Sequence, residues 1–331
     1  MTTKRNALKS LATASAIALG LLGAMGSGVA QAQTKLKWAH VYETSEAYHT
    51  ESVWAADEIK KRTNGKFEIQ VFPASTLGKE TDINQGLTLG TVDMIISGPS
   101  FAARAYPRFG IAYYPFIFRD GDHLIAYSKS PVFAEMVNEF RAKTGIQVTA
   151  YTYYGARHTT AQKAFTNCAG MKGIKIRVPD VPAYRATPEA CGANPTPIAF
   201  AEVYLALQNG TVDAQENPLP TIQFKRFYEV QSDINLTAHI TNSLTTLISP
   251  VALSRLSEED TAALEAVLIA AAAQASAEIN TAESELVDWF RAEGVTVNEV
   301  DRAPFIAAVA PFLTGDSVPW AADIYERLQA L

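Results

Sequence analysis

Thiol and imidazole groups are scarce: 331 residues carry two cysteines and five histidines. The histidines, His40, His49, His123, His158 and His239, stand singly, so each reads as a surface or hydrogen-bonded residue and not as a metal ligand. No His-Glu-x-x-His, Gly-x-Ser-x-Gly, Cys-x-x-Cys or phosphate loop occurs. The signatures of zinc peptidases, serine hydrolases, dithiol oxidoreductases and P-loop NTPases are therefore missing. A glycine-rich dinucleotide fingerprint after a strand is missing as well, and no cofactor is implied. Charge is also sparse, at 19% of residues with a net −6, which leaves no basic field for nucleic acid or an anionic membrane. Nothing here argues for catalysis. An acidic chain that binds an anion has to gather its positive charge at one place.

Long apolar runs are confined to the start. Lys4, Arg5 and Lys9 precede an apolar segment from Leu11 to Met25, and Ala30-Gln31-Ala32 supplies small residues for cleavage. This is the pattern of a secretory signal peptide, shorter than the roughly 20 apolar residues a membrane helix needs. Residues 1–32 are expected to be removed after Ala32, leaving a mature chain in a bacterial periplasm with no further stretch able to span a membrane. In that oxidising compartment the even pair Cys168 and Cys191 is read as a disulfide, the alternative being two buried thiols.

The remainder is 48% apolar over the whole chain, enough for one large domain or two of typical size. Strand patterns at Leu36–His40, Phe67–Val71 and Val92–Ile96 alternate with helical patterns at Glu46–Arg62 and Thr81–Leu89. That alternation predicts an α/β fold with a largely parallel sheet. Ser97 and the turn after it fall at the carboxyl end of a strand, where open α/β sheets bind ligands. His123–Lys143 reads as one helix and Ile146–Thr152 as a strand, with Gly155 permitting a bend just beyond. Leu244–Leu253 reads as a returning strand. Ser257 and Asp260 then cap a very long helix that ends at Gly294.

The most informative stretch runs from Gly170 to Leu219. Ile174, Ile176 and Val178 alternate with Lys175 and Arg177, the period of a half-buried strand, and Pro179 ends it. Arg177 at this strand end can face a cleft with its fork exposed, a geometry suited to a carboxylate, or be a surface arginine in an ordinary ion pair. The motifs Lys172-Gly-Ile-Lys-Ile-Arg-Val-Pro179 and Asp213-Ala-Gln-Glu-Asn-Pro218 resemble those of the solute-binding proteins of tripartite ATP-independent periplasmic (TRAP) transporters, a family with dicarboxylate and sialic-acid receptors. The resemblance covers nearly all of the mature chain. It implies a two-lobed periplasmic-binding-protein fold with a cleft between lobes and a long helix spanning both. On this basis lobe I comprises 33–153 plus 244–300, lobe II 154–243, and 301–331 a C-terminal helical segment.

By the same resemblance, Arg177 pairs bidentately with the ligand carboxylate, Arg157 lies near the same group and Asn217 hydrogen-bonds it. Phe200 packs on the ligand and Asp180 takes the polar position after the arginine strand. Tyr42, Glu43, Tyr153, Tyr154 and His158 bind hydroxyls or shape the pocket, Ser97 is a further donor, and Glu216 belongs to a supporting layer with Tyr153. One departure stands out: where sialic-acid receptors place a hydroxyl-reading glutamate, this chain has Gly98 or its neighbour. A ligand of four to six carbons with a hydroxy- or oxo-carboxylate end is expected, delivered to membrane permease subunits driven by an ion gradient. The alternatives are a periplasmic hydrolase or lyase for a similar acid, or a binding lobe serving another importer or a sensor kinase.

Overall fold

The computed structural model describes residues 33–314 and 318–331; the expected signal peptide lies outside them. Nine strands form one sheet: β1 (Thr34–Ala39), β2 (Phe67–Phe72), β3 (Met94–Ser97), β4 (Gln147–Ala161), β5 (Lys175–Val178), β6 (Asn194–Pro197), β7 (Ala214–Pro218), β8 (Asp233–Ile248) and β9 (Thr296–Asn298). Their order is β2-β1-β3-β8-β4-β7-β5-β6, with β9 beside β8. Pairing is parallel at the two ends, where helices cross over between strands, and antiparallel at β3–β8, β8–β4 and β4–β7. The largely parallel sheet expected from helix–strand alternation therefore holds only within each lobe of the two-lobed α/β fold. The middle is antiparallel because the chain goes out along β4 and returns along β8.

Those two strands are the longest, at 15 and 16 residues, or roughly 50 Å at about 3.4 Å per residue. The sequence suggests a break near Tyr153, but β4 runs through it and absorbs the bend as register shifts at Val148/Ala150, Tyr153/Gly155 and Arg157/Thr159. Gly155 sits at φ 109°, and a Cβ there would lie 2.7 Å from Glu283 Oε1 and 2.9 Å from Pro218 Cβ. Only glycine fits, on both counts. Side chains of the long helix Glu258–Ala292 bond backbone N–H groups at this bulge. Tyr153 N–H donates to Ser276 Oγ (2.9 Å) and Ala156 N–H to Glu283 Oε1 (2.6 Å), while Tyr153 Oη donates to Glu283 Oε2 (2.6 Å).

That helix begins at the Ser257–Asp260 capping box and is followed by Gly294 in the left-handed region. By length and apolarity alone it would pass for a membrane span, contrary to the expectation that none follows residue 32. Here its apolar stripe from Leu264 to Phe290 is buried, packed on the first helix Ala47–Arg62, β4 and the Leu219–Phe224 helix. It is a core helix whose alanines permit close approach to the sheet. In the first helix the buried face is Tyr48, Ser52, Ala55, Ala56 and Ile59, and Val53 is exposed. The region expected as one helix from His123 divides into Gly121–Ser128 and Pro131–Thr144. Ser130 caps the second, and Pro131 takes the first position, where a missing N–H costs no bond. The expected Leu244 strand is the end of β8, which stops before the Ser249-capped helix Pro250–Leu253.

Cys168 and Cys191 are joined. The bridge lies in a small core with Phe165, Met171, Ile174, Ile176 and Phe305, and ties the start of the β5 segment to the loop before β6. Closing a loop of this length contributes about 3 kcal/mol on the chain-entropy argument. No thiol is expected to react in the unfolded, unreduced protein, and reduction should lower the melting temperature by roughly 5–10 °C; thiol titration and calorimetry check both.

The first helix also meets the Leu219–Phe224 helix. Glu46, fully buried, accepts from Glu43 N–H (2.8 Å) and Thr221 Oγ1 (3.1 Å), Tyr154 Oη lies 3.1 Å from the same Thr221 hydroxyl, and Lys225 pairs with Glu43 at 2.6 Å. Burial, reinforced by the Glu43 charge, pushes the Glu46 carboxyl from 4.5 up to about 7 against the opposing pull of the two donors and Lys225. The native state then holds a proton that the unfolded chain has released. Its contribution is full below pH 4.5 and is lost as pH rises through 7. Stability to denaturant should fall between pH 5 and 7.5 by up to about 3 kcal/mol from this group, and Glu46→Gln should flatten that slope in parallel urea titrations.

Candidate functional site

Two arginines reach the centre of the molecule from different strands, and their surroundings differ. Arg157, on β4, is 2% exposed. Its Nε and Nη2 grip the Glu216 carboxylate on β7, and Nη2 also reaches Glu216 O (2.6 Å) and Asn217 Oδ1 (3.0 Å). Tyr184 lies under the guanidinium at 4.9 Å. Burial alone would lower the Arg157 pKa, but the charge of Glu216 outweighs it and raises it above the ordinary value. Burial likewise works to raise Glu216, yet Arg157 and a contact from His239 (3.3 Å) hold its carboxyl below the usual range. This pair is electrically closed.

Arg177, on β5, is equally buried, so the exposed fork anticipated from strand alternation is not found. Val178, Ile176 and Arg177 are all covered, since β5 is flanked by β7 and β6 and overlaid by Phe200. Nε and Nη2 both donate to Ile198 O, at 2.9 and 2.8 Å; Nη1 has no partner among the described residues. Among the described residues no carboxylate is bonded to it. Burial pulls its pKa down to about 10 despite the more distant Glu216, and the like charge of Arg157 adds to the fall. A buried cation held by one carbonyl has no directly bonded counter-ion among the described residues.

Beside it lies a cavity of about 30 Å³ lined by Tyr42, Glu80, Gly98, Tyr113, Tyr154, Arg157, Arg177, Tyr184, Phe200, Asn217 and others. A groove of about 280 Å³ shares Glu80, Arg177, Pro179 and Phe200 with it. The structure thus brings together six of the sequence-selected residues: Tyr42, Tyr154, Arg157, Arg177, Phe200 and Asn217. Tyr42 and Tyr154 stack edge to face at 5.5 Å, and Phe200 meets Tyr42 at 6.1 Å. Asn217 gives one amide N–H to Gln215 Oε1 (2.6 Å).

Other selected residues fall elsewhere. Ser97 is buried behind the wall, donating to Glu80 Oε1 (2.9 Å) and accepting from Asn84 (2.8 Å), so its hydroxyl has no capacity to spare as a ligand donor. Asp180 is exposed at the groove's rim, where it pairs with Arg104 at 2.9 Å. His158 turns away, accepting at Nδ1 from Ala238 N–H (3.2 Å). Glu43 is held by Lys225, and Tyr153 serves the strand bulge.

Sequence reasoning missed Glu80, Tyr113, Tyr184 and His239. Glu80 opens the helix Glu80–Leu89, one residue before the start read from periodicity. Its Oε1 accepts from Gly98 N–H (3.1 Å) as well as Ser97, while Oε2 has no partner among the described residues. Burial raises its pKa above the ordinary carboxylate value, and the Gly98 and Ser97 bonds and then the charges of Arg177 and Arg157 oppose this only in part. Gly98 is fixed by crowding: a Cβ there would lie 2.9 Å from Tyr113 Oη. Among the described residues no three His, Cys, Asp or Glu side chains converge as a metal site. What the cavity offers is a cation short of an anion, a carboxylate, an amide and aromatic walls.

Residues 38–315 match the family described as bacterial extracellular solute-binding protein, family 7. A solute-binding protein of Roseobacter denitrificans is 34% identical over 88% of this chain and 90% of its own length. Its crystal structure, a TRAP periplasmic solute-binding protein with bound L-galactonate, aligns with a TM-score of 0.83 at 31% identity over 89% of this chain and 97% of that one. The sialic acid-binding periplasmic protein SiaP of Vibrio cholerae is 30% identical over 90% of this chain and 93% of its own. A TRAP periplasmic solute-binding protein from a Polaromonas species bound to D-erythronate superposes with a TM-score of 0.86 at 29% identity, covering 90% and 99% of the two chains. The chain belongs to this family, the solute-binding proteins of TRAP transporters.

Proposed function

We propose that this protein captures a small sugar acid or related hydroxy-carboxylate in the groove and adjoining cavity beside Arg177 and passes it to the membrane permease of a TRAP transporter driven by an ion gradient. Export with cleavage after Ala32 belongs to the same reading. The observation that carries it is the contrast between the two arginines. Arg157 is neutralised by Glu216, whereas Arg177 is buried with no carboxylate partner and one nitrogen unbonded among the described residues. A ligand carboxylate supplies the missing charge through the bonds that a guanidinium fork makes best. The bound sugar acids of the Roseobacter and Polaromonas relatives have the chemistry this site calls for.

Capture also requires closure. We propose lobes at 33–153 with 244–300 and at 154–243, the segment 301–331 following, and a hinge where β4 and β8 pass between them. The Glu46–Thr221, Glu43–Lys225 and Arg104–Asp180 contacts would then form on closing and exclude water from the ligand.

A thermal-shift screen of aldonic, uronic and dicarboxylic acids identifies the binding acid, and the acid recovered afterwards should be unchanged, as it would not be with a hydrolase or lyase. Removing Arg177 leaves a desolvated carboxylate uncompensated, a penalty of roughly 3–5 kcal/mol, or about two to four orders of magnitude in affinity. Calorimetric titration should show that loss for Arg177→Ala and partial recovery for Arg177→Lys, which restores the charge without the planar fork. Binding of Arg177→Ala within threefold of wild type would place the site elsewhere.

A further inference from the structure

We infer that the receptor captures its acid together with one proton, which Glu46 takes up from solvent as the lobes close and returns to solvent as they open. This rests on the receptor reading and hinge proposed above and goes beyond them in adding a second, cationic ligand with a site of its own. That site lies where the first helix meets the Leu219–Phe224 helix of the other proposed lobe. Glu46 stands at the N-cap position of the first helix, yet its side chain caps no N–H there. Fully buried, its carboxylate accepts from two neutral donors, Glu43 N–H (2.8 Å) and, across the lobe boundary, Thr221 Oγ1 (3.1 Å).

The titratable and charged groups that face it are Glu43 from its own loop, Tyr48 from the first helix, Tyr154 from β4 and Lys225 just past the Leu219–Phe224 helix. Burial raises both tyrosines, which stay neutral, and Lys225 is bonded to Glu43 at 2.6 Å. Two carboxylates thus share one lysine, and the lysine sits on the other one. A proton on Glu46 makes the group neutral without needing room. The resulting acid keeps its contacts, since one oxygen still accepts from Glu43 N–H and the other donates to Thr221 Oγ1. The Thr221 proton then goes to Tyr154 Oη, 3.1 Å away.

Parting the lobes withdraws Thr221, Tyr154 and Lys225 and lets water reach Glu46, which restores its ordinary acidity near 4.5; burial between the lobes raises it to about 7. A group whose pKa is higher in the closed form takes up a proton on closing, so affinity for the acid is lost as pH rises through 7. The link to the ligand is direct. Thr221 bonds Tyr154, which lines the arginine cavity, and Lys225 lies 5.1 Å over the ring of Phe200 in the same wall.

The test is calorimetric titration of wild type, Glu46→Gln and Thr221→Val with L-galactonate, D-erythronate and the tightest acid of the thermal-shift screen at pH 6, 7 and 8. Each pH is run in two buffers of different ionisation enthalpy, which counts the protons taken up per acid bound. Uptake by other groups, such as Glu80 and His239, is common to wild type and variant and cancels in the difference. Wild type should exceed Glu46→Gln by roughly 0.9, 0.5 and 0.1 proton at the three pH values, and lose about tenfold in affinity from pH 6 to 8 relative to it. Glu46→Gln, held neutral, should bind more tightly than wild type at pH 8, whereas loss of a merely structural contact would weaken binding at every pH. Thr221→Val removes a donor from the carboxylate and should carry the uptake to higher pH. If unliganded melting shows Glu46→Gln misfolded, Thr221→Val decides, and uptake there equal to wild type overturns the inference. Equal uptake by wild type and a folded Glu46→Gln also overturns it, as does weaker binding by that variant at pH 8. If Arg177→Ala abolishes binding while uptake is the same with and without Glu46, the receptor reading stands and this inference alone fails; if no acid binds wild type, both fail.

Discussion

The buried ion pair between Arg157 and Glu216 is the interaction on which the site depends. Both side chains are almost fully covered, and a charge removed from water to this extent is tolerated only when paired and hydrogen-bonded. The pair meets that condition with bidentate contact, a backbone carbonyl, Asn217 and His239. It joins β4 to β7 and consumes one of the two central positive charges. The other, on Arg177, is left without an ion-pair partner among the described residues.

A second constraint supports the first. β4 must both carry Arg157 inward and bend between two lobes, and it does so at Gly155, where no other residue fits beside Glu283 and Pro218. Ser276 and Glu283 bond backbone N–H groups at the bulge from the long helix, so the bend retains its hydrogen bonds. The helix that braces both lobes is thus bonded directly to the strand that presents the arginine.

Much of the fold was legible in the sequence because it is encoded locally. Strand alternation, the Ser257–Asp260 capping box, the glycine at 294 and the even cysteine pair each depend on residues a few positions apart or on compartment. Their readings agree with the structure to within a residue or two for most elements in the first half of the chain. The divided helix at Pro131 was equally local and was passed over because apolar spacing continued across it. The membrane-like composition of Glu258–Ala292 shows the opposite limit, since only packing tells a core helix from a span.

The sequence by itself determined the family, through the Lys172–Pro179 and Asp213–Pro218 motifs. Tertiary structure alone decided how charge is distributed at the site. Arg157 and Glu216 are 59 positions apart, and Glu80 meets Gly98 across 18; no periodicity links such residues. Strand alternation placed Arg177 opposite Ile176 and Val178 but could not show that Phe200 and Ile198 cover that face too. Ser97 was at the expected strand end, yet its hydroxyl belongs to Glu80 and Asn84. Burial and pairing are properties of the space between elements, and they separate an arginine already satisfied from one that still needs an anion.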